Sequence, residues 1–150
     1  MSESIKIFFD NPKLLTSDNL NILDGITGLY FIFTHGINIQ YPFDKSKLIY
    51  IGMSEKRTNS IKKRLVGHLD GISNVGLKNY GKVDTLFFAY INFDILKEMW
   101  NLKIEELETY FLHSFVKNHG VSPICNNKLN SAILSENLPI KLEIDWEYFK

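Results

Sequence analysis

The 150-residue chain carries 17 Lys or Arg against 17 Asp or Glu, and 45% of its residues are hydrophobic. That length and composition predict a single domain over residues 1–150 with a core of its own. One cysteine, Cys125, excludes an internal disulfide and a multi-cysteine zinc site, and no apolar run nears the roughly 18 residues of a membrane helix or forms a signal peptide, so the expectation is a cytoplasmic protein with no membrane partner.

In chain order, Ile5 to Phe9 reads as a short strand and Ser17 to Leu23 as a short helix capped by Ser17. Gly25 and Gly28 bracket a turn before Leu29-Tyr30-Phe31-Ile32-Phe33, a run too apolar for a half-exposed strand. Residues 34–47 make a wide antiparallel link to the next apolar run, residues 48–53. Each of these strands carries a tyrosine, Tyr30 or Tyr50, next to a glycine on its own face. A missing side chain beside a phenol leaves room for something to reach the hydroxyl; the plainer alternative is a core aromatic with a satisfied hydroxyl.

Thr58-Asn59-Ser60 then offers capping oxygens for a helix whose apolar positions are Ile61, Leu65, Val66 and Leu69, with Gly71 as its stop. Arg64 and His68 lie four apart on one face of it, a permanent cation beside a titratable imidazole, and a phosphate suits that corner. Charge is segregated around this helix. Residues 45–82 hold nine Lys or Arg against two acids, while residues 1–44 hold two against five and residues 83–150 six against ten. Lys56, Arg57, Lys62, Lys63, Lys78 and Lys82 are the candidate contacts to a nucleic-acid backbone, against the alternative of a solvated basic face.

Residues 71–83 read as a glycine-rich loop, Val83 to Ile91 as a third strand, and Asp94 as a cap for a helix from Ile95 with Glu98 in its first turn. Helical periodicity follows from Lys103 to His119 and stops at Gly120. Stepping about 100° per residue from Ile104 puts Glu108 at roughly 40°, inside the arc of Leu107, Phe111 and Phe115. A carboxylate there needs a partner, either a structural cation or a metal. Past Gly120, Asn126 is able to orient a carboxylate or phosphate oxygen, or simply to form a turn, and Cys125 reads as an inert buried thiol. Residues 139–146 alternate as a half-exposed edge strand.

In this order, Gly28-Leu29-Tyr30, Tyr50-Ile51-Gly52, the Arg64 and His68 pair, Glu108 and Pro123-Ile124-Cys125-Asn126 resemble the signature of the GIY-YIG nuclease family. The resemblance spans residues 25 to about 130. Leu29 stands where the family usually has isoleucine, the stretch from Gly52 to Arg64 is longer than in compact members, and the distance from Glu108 leaves Asn126 or Asn127 for the asparagine position. The resemblance implies an α+β fold, a small three-stranded antiparallel central sheet flanked by helices with short N- and C-terminal additions. It implies an endonuclease hydrolysing DNA phosphodiester bonds. Glu108 would hold Mg²⁺ or Mn²⁺, Arg64 would offset charge on the phosphoryl oxygens, Tyr50 would position water or phosphate, and Tyr30 would activate water with His68, whose ordinary pKa suits a base. A catalytically inactive nucleic-acid-binding module and a ribonuclease are the alternatives. No DNA-reading module is legible, so loops 34–47 and 71–83, a homodimer or a partner protein would supply specificity.

Overall fold

The apolar runs fold as strands and the 3.6-residue patterns as helices in the computed structural model, which describes residues 3–69, 74–96, 103–126 and 140–150. The elements are β1 (Glu3–Ile7), β2 (Lys13–Leu14), α1 (Ser17–Leu20), a 3₁₀ turn (Asn21–Leu23), β3 (Gly28–Thr34), β4 (Ile39–Gln40), β5 (Lys45–Ser46), β6 (Leu48–Ser54), α2 (Ile61–Leu69), α3 (Val75–Val83), β7 (Leu86–Asn92), α4 (Phe93–Leu96), α5 (Ile104–His119), β8 (Ile140–Ile144) and a closing 3₁₀ turn (Trp146–Phe149). The fold class is α+β. Among the described residues no helix is long and apolar enough to cross a membrane.

The sheet runs β2-β7-β3-β6 with antiparallel neighbours. It therefore has four strands where three are expected, the addition being the two residues of β2 on the β7 edge. All seven residues of β3 are buried, which is why that run lacks polar alternation: both of its faces are covered. One face lays Leu29, Phe31, Phe33 and Ile51 against Leu107, Phe111 and Phe115 of α5 and against Trp146 and Phe149. The other lays Tyr30, Ile32 and Phe88 against Leu20, Leu23, Ile61, Leu65 and Leu77 from α1, the first 3₁₀ turn, α2 and α3.

The link between β3 and β6 is a small hairpin of β4 and β5. Strand β8 pairs in parallel with β1 as a separate two-stranded ribbon, and on it the Tyr110 hydroxyl of α5 donates to the Leu142 carbonyl and accepts from its N–H. Helix α5 ends where Gly120 adopts φ 97°, a conformation few other residues reach without strain.

Three local expectations are corrected. Within residues 71–83, helix α3 occupies Val75–Val83; Gly76 and Gly81 hide it, and the Asn74 side chain starts it by accepting from the Leu77 N–H. Thr16 rather than Ser17 caps α1. Asn92 accepts the Asp94 N–H, so the helix expected from Ile95 begins at Phe93. Gly71 and Glu98 lie outside the described residues, as does Asn127.

Candidate active site

Tyr30 and Gly52 face each other across the β3–β6 ladder. A Cβ at position 52 would stand 2.4 Å from Tyr30 Cζ and 2.5 Å from its hydroxyl oxygen. The space that the glycine frees is thus filled by the Tyr30 ring itself, and the expectation of room for an outside group beside that phenol is corrected. With no side chain opposite, the ring lies over the neighbouring strand and is fully buried.

Helix α2 brings its last turn over this ring. The Tyr30 hydroxyl and His68 Nε2 are 3.0 Å apart, and the rings of Tyr30, Tyr50 and His68 form a triangle with centroid separations of 6.0, 5.7 and 5.0 Å. Burial, followed by the neighbouring Tyr50, holds the Tyr30 phenol well above the ordinary value near 10. Tyr50 is raised as well, again chiefly by burial, but its hydrogen bond with Tyr30 pulls it down.

His68 departs from the sequence expectation. Burial, with the Arg64 guanidinium next in importance, pushes its imidazole down from 6.5 to about 4, so at neutral pH the ring is uncharged and a weaker base than a free histidine. Its Nδ1 is sealed from water and makes no hydrogen bond. No neighbour of that nitrogen fixes the tautomer.

Two charges complete the cluster. Arg64, exposed and one turn before His68, lowers the pKa of both phenols, and Glu108, half-buried on α5, raises both. Sheet, α2 and α5 thus bring Tyr30, Tyr50, His68, Arg64 and Glu108 within electrostatic reach of one another. Glu108 sits between the buried Leu107 and Thr109, as its place in the apolar arc anticipates.

Asn126 reaches the same strand with a different task. Its Oδ1 accepts from the Ile51 N–H at 3.0 Å and its Nδ2 donates to the Ile51 carbonyl at 2.9 Å. With the Cys125 N–H bonded to the Ile49 carbonyl at 2.8 Å, this segment closes the free edge of β6. The expected role of orienting a reacting group is corrected to that of holding the strand that carries Tyr50 and Gly52. Asn74, unnoticed in the sequence, extends the brace by donating to the Cys125 carbonyl; only its position just ahead of a helix hinted at it. Burial raises the Cys125 thiol to about 11, consistent with an inert group.

The basic residues divide. Lys56, Arg57, Lys63, Lys78 and Lys82 are exposed and Lys62 is half-buried. Arg57 pairs with Asp94 at 2.9 Å on the surface, and Lys63 donates to the Thr58 carbonyl at 3.3 Å. Lys78 and Lys82 stand apart from these, one turn from each other on α3. Among the described residues no group of three or more His, Cys, Asp or Glu gathers as a metal site, and Glu108 is the carboxylate beside the phenols. Comparison with protein-family models, with curated proteins and with solved structures finds no match for this chain.

Proposed function

We propose that the chain is a metal-dependent phosphodiester hydrolase of the GIY-YIG type, acting on DNA. The observation that carries the reading is the convergence of two phenols, a neutral imidazole, an arginine and a half-buried glutamate, drawn from two strands and two helices, on one corner of the sheet. Burying polar groups costs stability, and functional sites are where such clusters recur.

Glu108 fits Mg²⁺ or Mn²⁺ because such hard cations accept one protein carboxylate and complete their shell with waters and substrate oxygens. When bound, the ion would supply Lewis-acid stabilisation of charge on the phosphate. The remaining steps belong to the chain. Arg64, exposed and unshielded, presents a planar fork of donors to the phosphoryl oxygens as charge builds there. Tyr50, half-buried, holds a water through its oxygen lone pairs, and the fully buried Tyr30 stands between Tyr50 and His68 Nε2. As the water oxygen bonds to phosphorus and the ester oxygen departs with the bonding pair, to take a proton from solvent, the water proton passes to Tyr50, the Tyr50 proton to Tyr30 and the Tyr30 proton to Nε2, so no phenol needs to ionise beforehand. The same contact through Tyr50 orients the water against the phosphate.

A Glu108→Gln variant tests the assignment. It should lose magnesium-dependent nicking of supercoiled plasmid while remaining folded at the assay temperature, because the amide preserves the shape of the side chain and removes the charge a cation needs. Full nicking by the variant would refute the role of Glu108, and a large fall in melting temperature would make it a structural ion-pair partner. Offering RNA beside DNA separates the ribonuclease alternative.

A further inference from the structure

Beside His68 lies a cavity of about 440 Å³, walled by His68 and Leu77, by Leu15 and Thr16, and by Thr85 and Leu86. Lys78 and Lys82, on adjacent turns of α3, both line it, and neither is paired with a described carboxylate. Asp84 also borders the cavity, but Oδ2 accepts the Gly36 and Ile37 N–H groups and Oδ1 the Thr85 N–H, which turns the carboxylate toward the β3–β4 loop. The lysines therefore dominate the charge that a ligand meets. His68, only 7% exposed, forms one wall of the cavity and bonds the Tyr30 hydroxyl through Nε2.

We propose that this cavity is a subsite for a backbone phosphate of the nucleic-acid strand, held by Lys78 and Lys82 with His68 as the wall it shares with the candidate active site. The inference rests on the hydrolase reading for the identity of the ligand and goes beyond it in placing a second phosphate away from the reacting one. Two ammonium groups one helical turn apart suit the paired oxygens of a phosphodiester.

The test uses the full chain with a fluorescein-labelled DNA duplex in EDTA, so that binding is read without turnover. The double variant Lys78→Gln, Lys82→Gln should bind more weakly, and its plot of log affinity against log salt should be shallower by about two, one for each ammonium group removed from a phosphate. In parallel, the imidazole nitrogen resonances of His68 should shift when duplex is added to the parent protein and stay put in the double variant. An unchanged affinity and slope would overturn the proposal. So would inorganic phosphate that moves the His68 resonances as strongly as duplex at equal phosphate concentration, since the occupant would then be a free anion. The two readings fail separately. Plasmid nicking with an unchanged salt slope removes the subsite alone, whereas a shallower slope in a protein that never nicks keeps the subsite and removes the hydrolase.

Discussion

The two faces of the central sheet are built on opposite terms. Against α5, rings interlock: Phe31 meets Phe111 at 5.6 Å, Phe33 meets Phe149 edge-on at 5.2 Å, and Phe115 meets Trp146 edge-on at 5.4 Å. Even the histidine on that side behaves as an aromatic, His119 stacking on Phe115 at 3.9 Å with Nδ1 bonded to the Phe115 carbonyl. Against α2 the rings are of similar size but carry polar tips turned inward, and the histidine there, on α2 itself, bonds the Tyr30 phenol of β3. Both histidines are buried, both are shifted down, and each keeps one nitrogen without a partner. What separates them is company. Apolar packing against α5 gains stability everywhere it touches, whereas the α2 face gives some away to hold hydroxyls and an imidazole in fixed positions.

The sharpest way to break that contrast is to damage each face once. Phe111→Ala should cost about 3–5 kcal/mol of stability in urea denaturation, as removal of a fully buried aromatic usually does, yet leave nicking near the parental rate at temperatures where the variant is folded. A dead but folded Phe111→Ala would mean that the aromatic face takes part in the chemistry. Arg64→Lys should do the converse, slowing single-turnover cleavage on the order of 100-fold while the melting temperature stays put, because the charge survives and the forked donor does not. Parental turnover at saturating enzyme would reduce Arg64 to a phosphate anchor.

Gly52→Ala falls between these two. The added Cβ would lie inside the Tyr30 ring's present position, so the ring or the strand must move, at about 1–3 kcal/mol, and cleavage should fall with it. Unaltered cleavage would detach Tyr30 from the reaction. A smaller effect follows from His68. With a folded value near 4 against 6.5 in the open chain, the unfolded state takes up a proton that the folded protein refuses, so this residue lowers stability as pH falls from 6.5 toward 4 and adds nothing above 6.5. Urea midpoints of the parent and His68→Phe at pH 7 and pH 5 should show the parent losing more on acidification; equal losses would place the imidazole in water. Smallest of all, Lys62→Gln with Lys63→Gln should weaken DNA affinity a few-fold for every sequence alike and reduce its salt dependence. A loss confined to one DNA sequence would make these lysines readers of bases.

The buried strands were legible because an uninterrupted apolar run such as Leu29 to Phe33 has few other uses, and α5 was legible because its apolar arc and Gly120 agree. Helix α3 was not, since two glycines lower its local propensity and its stability comes from packing Leu77 and from the Asn74 cap, neither visible in a short window. The site's members were legible as residue types at suggestive spacing, Glu108 by its angle on the helix and Arg64 with His68 by the four-residue step. Their environments were not. Nothing in the string tells that Tyr30 fills the place vacated by Gly52, that Asn126 spends its amide on Ile51, or that burial moves His68 away from neutrality; each depends on a cross-strand register or a segment more than thirty residues away.

The most direct measurement is incubation of the purified chain with supercoiled plasmid, once with Mg²⁺ and once with EDTA, followed by mapping of the new ends. Nicked and linear products that appear with Mg²⁺, vanish with EDTA and carry the ends of phosphodiester hydrolysis are the predicted result. Plasmid that stays supercoiled under both conditions, with a protein that is folded and binds the DNA, would contradict the account and leave the phenol face as a binding surface.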